Sequence, residues 1–125
     1  MASGTLIAES LRSGASLRGV RLVVGEITRV APRDLSAEQR AAGVPTLWTL
    51  LRFDVDDADA ESLARALAES MHGFGWYADF HTDAETFVVF AGRVFRYATG
   101  DARGRAAAEV YARAHGVPDA QIDWP

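Results

Sequence analysis

The sequence predicts an α+β fold, a two-layer sandwich of about five mainly antiparallel strands with two main helices on one face. Three observations lead there. Residues 20–30, 46–55 and 76–98 are rich in β-branched and aromatic side chains and alternate in polarity, as half-buried strands do. Residues 60–71 and 102–114 repeat apolar side chains at three- and four-residue steps, which gathers them on one stripe of a helix. A chain of 125 residues has room for one core and not for two, so a single domain is expected.

Taken in order, residues 1–19 carry repeated Ser-Gly turns around the apolar cluster Leu6, Ile7 and Leu11. They are expected to be peripheral, as a short helix or an edge strand. In VRLVVGEITRV (20–30), Val20, Leu22 and Val24 share a face, and the alternation slips at Gly25; a bulge there restores it. Residues 31–45 form a loop or a short helix, with a capping box at Ser36–Gln39 and a helix end at Gly43. In TLWTLLRFDV (46–55), Leu47, Leu51, Phe53 and Val55 lie on one side, giving a second strand antiparallel to the first.

Ala60, Leu63, Ala64, Leu67 and Met71 then mark a helix that Gly73 closes. The next strand turns Trp76, Ala78 and Phe80 inward and Tyr77, Asp79, His81 and Asp83 outward. Two further apolar runs are joined by Gly92-Arg93; a two-residue turn there sets Phe90 opposite Phe95 and Val88 opposite Tyr97. The last helix begins at the N-cap Asp101, carries Ala107, Val110, Tyr111 and Ala114 on one stripe, and ends at Gly116. Gly104 lets it approach the sheet closely, and Trp124 anchors the tail. The strand–helix–strand step over 46–82 suits a crossover between parallel strands.

Composition narrows the function. Hydrophobic residues make up 49% and charged residues 24%, as in soluble globular chains. A net charge of −4 opposes a polyanion-binding surface, so nucleic acid is not an expected partner. All 13 basic residues are arginine, with no lysine or asparagine, which reflects the coding bias of a GC-rich genome rather than phosphate recognition. The lack of cysteine removes disulfides and thiolate zinc sites. No signal-like opening or membrane-length apolar run is present, so a cytoplasmic protein without membrane contact is expected, and no motif asks for a cofactor.

GWYADF (75–80), FVVFAGRVFRY (87–97) and GVPDAQIDWP (116–125) together resemble a family of small bacterial proteins, mostly from GC-rich actinobacterial genomes. The resemblance covers roughly residues 46–125. That family has no established activity, so the resemblance implies a lineage and gives no residue a role.

Four groups of residues are candidates for chemistry. Tyr77, Asp79, His81 and Asp83 stand at alternate positions of a strand, where a histidine beside a carboxylate can act as an acid–base pair or share a metal; the competing reading is the polar face of a half-buried strand. Arg93, Arg96, Arg103 and Arg105 flank a hairpin and a helix start and offer an anion site, against ordinary surface charge. The acidic run Asp54, Asp56, Asp57, Asp59 and Glu61 lacks the glycine and glutamate of a calcium loop and suits a helix start. His72-Gly73 and His115-Gly116 match helix ends. The aromatic residues, Trp48 and Trp76 included, read as core rather than as a stacking platform.

With no catalytic motif and with TFVVFA apolar on both faces, the leading expectation is a binding or assembly module, a homodimer whose second chain covers the exposed side. The alternative is a small enzyme using Tyr77, Asp79, His81 and Asp83, and a third is an anion or nucleotide binder using the four arginines. A concave pocket around Asp79 and His81 favours the enzyme over the module.

Overall fold

In the computed structural model, which describes residues 1–125, six strands form one antiparallel sheet in the order β2-β3-β1-β4-β5-β6. They are β1 (Ala2–Ile7), β2 (Val23–Val30), β3 (Trp48–Val55), β4 (Ala78–His81), β5 (Glu85–Phe90) and β6 (Arg93–Ala98). The helices are α1 (Ala37–Ala41), α2 (Ala60–Ser70) and α3 (Ala102–Ala114). The α+β class is as the sequence predicts, with a sixth strand added. That strand is β1, and it corrects the expectation of a peripheral N-terminal segment: β1 pairs with β3 on one side and β4 on the other, at the centre of the sheet.

β1 fits there because it is narrow. Gly4 pairs with Phe53 and with Phe80, and a Cβ at Gly4 would overlap the Asp79 carbonyl and the Phe80 Cβ. Only glycine allows the approach. Because β3 and β4 are both antiparallel to β1, they run parallel to each other, and α2 supplies the crossover between them.

β5 is buried on both sides, and its alternation separates two cores. Phe87 and Val89 join Phe53, Val55 and Phe80 beneath Leu63 and Leu67 of α2. Val88 and Phe90 join Tyr97, Trp124 and the Ala108 and Ala112 positions of α3. The two main helices are therefore divided between opposite faces of the sheet rather than sharing one. This removes the reason for a second chain: the doubly apolar strand is covered within the monomer. Each large aliphatic or aromatic side chain so buried is worth about 1.5–3 kcal/mol.

Local signals are largely obeyed. The Gly25 bulge appears as a register shift between Val24 and Glu26 against β3. Ser36 and Gln39 form the reciprocal capping box of α1, with Gly43 at φ 81° beyond its end. Gly116 at φ 85° follows α3. Four details differ. The β5–β6 turn is Ala91-Gly92, with Gly92 at φ 71°, so Phe90 pairs with Arg93, Val88 with Phe95 and Thr86 with Tyr97. A two-residue slip keeps every side chain on its expected face. α2 stops at Ser70, because Met71 turns extended and bridges Leu11, so Gly73 is not its cap. No acidic side chain caps the amides of α2, although the run precedes it as expected. On α3 the buried stripe is Ala108 and Ala112, leaving Val110 exposed, because a Cβ at Gly104 would overlap Tyr97 and the helix rests on that face.

Candidate functional site

α3 covers only the β5–β6 side of its face, and the same face of β3, β1 and β4 stays open. Alternation decides which side chains floor that opening. Thr5 pairs with Arg52 on one side and with Asp79 on the other, and Asp79 pairs with Val88, so these four form a row across the sheet on one face. The next row is Asp54, Ser3, His81 and Thr86, in which the Ser3 hydroxyl donates to Asp54 at 2.5 Å. Ile7 and Leu50 pair on the other side of the Thr5 row.

The remaining wall comes from the tail. Trp124 is buried against Tyr77, with ring centroids 4.9 Å apart, and against Phe90 at 6.4 Å. The anchor expected at Trp124 is in place. The Tyr77 hydroxyl donates to the Asp123 carboxylate at 2.6 Å and also lies against the Gln121 carbonyl. Gln121 reaches Asp34 and the buried Gln39 of α1, which fixes the tail to the body. The result is a groove of about 500 Å³ lined by Thr5, Arg52, Tyr77, Asp79, His81 and Asp123, with Ile7, Leu50 and Trp48 as its apolar part.

Its electrostatics are uneven. Burial first, and then the Asp123 carboxylate, push the Asp79 carboxyl up to about 7. No hydrogen bond stabilises its charged form. Burial and the Asp123 contact hold the Tyr77 phenol far above its ordinary value, so Tyr77 stays a neutral donor. The His81 Nδ1 is buried without a partner. A carboxyl poised near neutrality in a concave site can take or give a proton during a reaction.

The structure thus brings Tyr77, Asp79 and His81 together in the groove and leaves Asp83 outside. The strand ends at His81, where the Thr82 hydroxyl accepts from the amides of Ala84 and Glu85 and turns the chain; Asp83 lines a separate hollow on the other side of His81. No three His, Asp or Glu side chains are grouped to hold a metal ion.

The four arginines do not converge. Arg93 lies over the Phe95 ring, 4.7 Å from its centroid, while Arg96 lies on the opposite side of β6, over Phe87 and bidentate to Glu85. Arg105 is held by Glu109 and the Trp124 carbonyl, and Arg103 is exposed at the start of α3. His115 caps α3 as expected, its ring stacked on Tyr111 and its Nδ1 2.8 Å from the Tyr111 carbonyl, whereas His72 follows an extended Met71. No helix is long and apolar enough to cross a membrane.

Sequence reasoning missed Thr5, Asp34, Arg52 and Asp123. Arg52 was legible, since it alternates with Leu51 and Phe53; the others depend on β1 being central and on the path of the tail. Compared with protein-family models, with curated proteins and with solved structures, the chain matches none.

Proposed function

We propose that the open-face groove is a small-molecule site in which Asp79 exchanges a proton with the bound ligand, the chemistry of a small acid–base enzyme. The observation that carries this is the Asp79 side chain: it stands on the groove floor beside Thr5 and Val88, without a hydrogen-bond partner, and is pushed up to about 7. Tyr77, whose hydroxyl is held by Asp123, and His81 line the groove on either side of Asp79, so a ligand meets polar side chains along one wall. The test is a carbon-13 NMR titration of the side-chain carboxyl of Asp79 in the intact protein. A midpoint near 7 supports the reading, and a midpoint in the ordinary aspartate range of about 4 refutes it.

A second reading, self-association through the sheet edge, is favoured by one observation: Val23, Val24 and Ile27 of the edge strand β2 are exposed, Ile27 at 65%. Sedimentation of the parent and of Ile27→Lys at micromolar concentration tests it. A dimer that the substitution dissociates supports it, and a monomeric parent rules it out.

A further inference from the structure

Resting on the reading of the groove as a small-molecule site, we infer that its ligand is a small zwitterion, an amino acid in the broad sense, with its anionic end on Arg52 and its ammonium end facing Asp79 and Asp123. The sheet register sets the spacing. Arg52 and Asp79 are both direct partners of Thr5, so their Cα atoms stand about 10 Å apart with one hydroxyl between them. The two charged groups do not meet: Arg52 makes no ion pair, and only burial and Asp123 act on the Asp79 carboxyl.

Each pole is built from separate elements. On the β4 side, Asp79, Asp123 and Asp34 are brought near one another by Tyr77 and Gln121, which concentrates carboxylate oxygen. On the β3 side, Arg52 is the one cation of the groove, and a guanidinium matches a carboxylate through two parallel N–H donors. A purely anionic ligand meets Arg52 and is repelled by the acidic wall; a purely cationic one meets the reverse. A dipolar ligand laid over Thr5 satisfies both, and Ile7 and Leu50 give its carbon chain an apolar wall.

The test uses 4-aminobutanoate, butanoate and butylamine as probes of equal chain length, titrated into the nitrogen-15-labelled full chain. The zwitterion is expected to shift the amides of Thr5, Arg52 and Asp79 and to bind at least tenfold more tightly than either single-charge probe. Arg52→Gln should bring its affinity down to that of butylamine, and Asp79→Asn down to that of butanoate, in spectra that otherwise keep the parent's dispersion. Equal affinity of the three probes, tighter binding of a single-charge probe, or no binding of the zwitterion overturns the inference. If Asp79 still titrates near 7 in that case, the groove reading survives; if it titrates near 4, that reading falls as well.

Discussion

Phe53 and Phe80 face each other across Gly4, their ring centroids 6.0 Å apart, on the side of the sheet that α2 covers. The central strand contributes no side chain at that point, and the two rings close over its backbone. Gly4→Ala places a methyl group against the Asp79 carbonyl and the Phe80 Cβ, both held by the β1–β4 ladder. The variant should lose about 1–3 kcal/mol of stability, the range for overpacked cores. Urea unfolding checks this; an unchanged midpoint would contradict the central placement of β1.

Asp79 makes stability depend on pH in a direction opposite to that of a salt-bridged carboxylate. Its folded-state value, about 7, lies above the ordinary 3.8, so the folded chain holds the proton more firmly than the unfolded one. Stability from this group is complete below pH 4, falls as pH rises toward 7 and levels off above it, a total loss of about 4 kcal/mol if the whole shift is realised. Asp79→Asn should remove that slope, matching the parent near pH 4 and exceeding it at pH 8. Thermal melts of both proteins from pH 4 to 8 provide the comparison, and parallel curves would contradict the shift.

Trp124 fastens the outer wall of the groove. Trp124→Ala should cost about 3–5 kcal/mol, as for a buried aromatic ring, if the tail stays in place. If the tail detaches instead, Tyr77 loses Asp123 and the groove loses one wall. Either outcome lowers the melting temperature, and proteolysis near residue 118 distinguishes them, since only the second exposes that segment.

Gly104→Ala sets two effects against each other. Helix propensity favours alanine by about 1 kcal/mol at an internal position. The added methyl overlaps the Tyr97 side chain, which is packed in the α3 core and hydrogen-bonded to the Pro125 carbonyl at 2.6 Å. Tyr97 has little room to move, so the clash wins and the variant is expected to be less stable than the parent. A rise in melting temperature would show that α3 lies farther from the sheet.

What the sequence disclosed follows from how far apart the determining residues lie. The Gly25 bulge, the Ser36–Gln39 box and the inward Trp76, Ala78 and Phe80 are set by neighbours a few positions away, and each stands as expected. β1 was opaque because Ser3 and Gly4 interrupt any strand pattern, and the place of Gly4 is fixed by Phe53 and Phe80, far along the chain. The division of α2 and α3 between faces follows from β5 being apolar on both sides, a pattern equally consistent with a partner chain. In the candidate site, strand periodicity pointed to Tyr77, Asp79 and His81 but carried the alternation one two-residue step too far, to Asp83, past the Thr82 turn.

The open half-face has a consequence for how this scaffold can change. Thr5, Arg52 and Asp79 stand on adjacent strands whose mutual spacing is fixed by main-chain ladders, while the packed interior of β1, β3 and β4 lies on the reverse side. Replacing one of these three alters what is displayed without reshaping the backbone beneath it. The chemistry displayed on this face can therefore change by single substitutions on a rigid lattice.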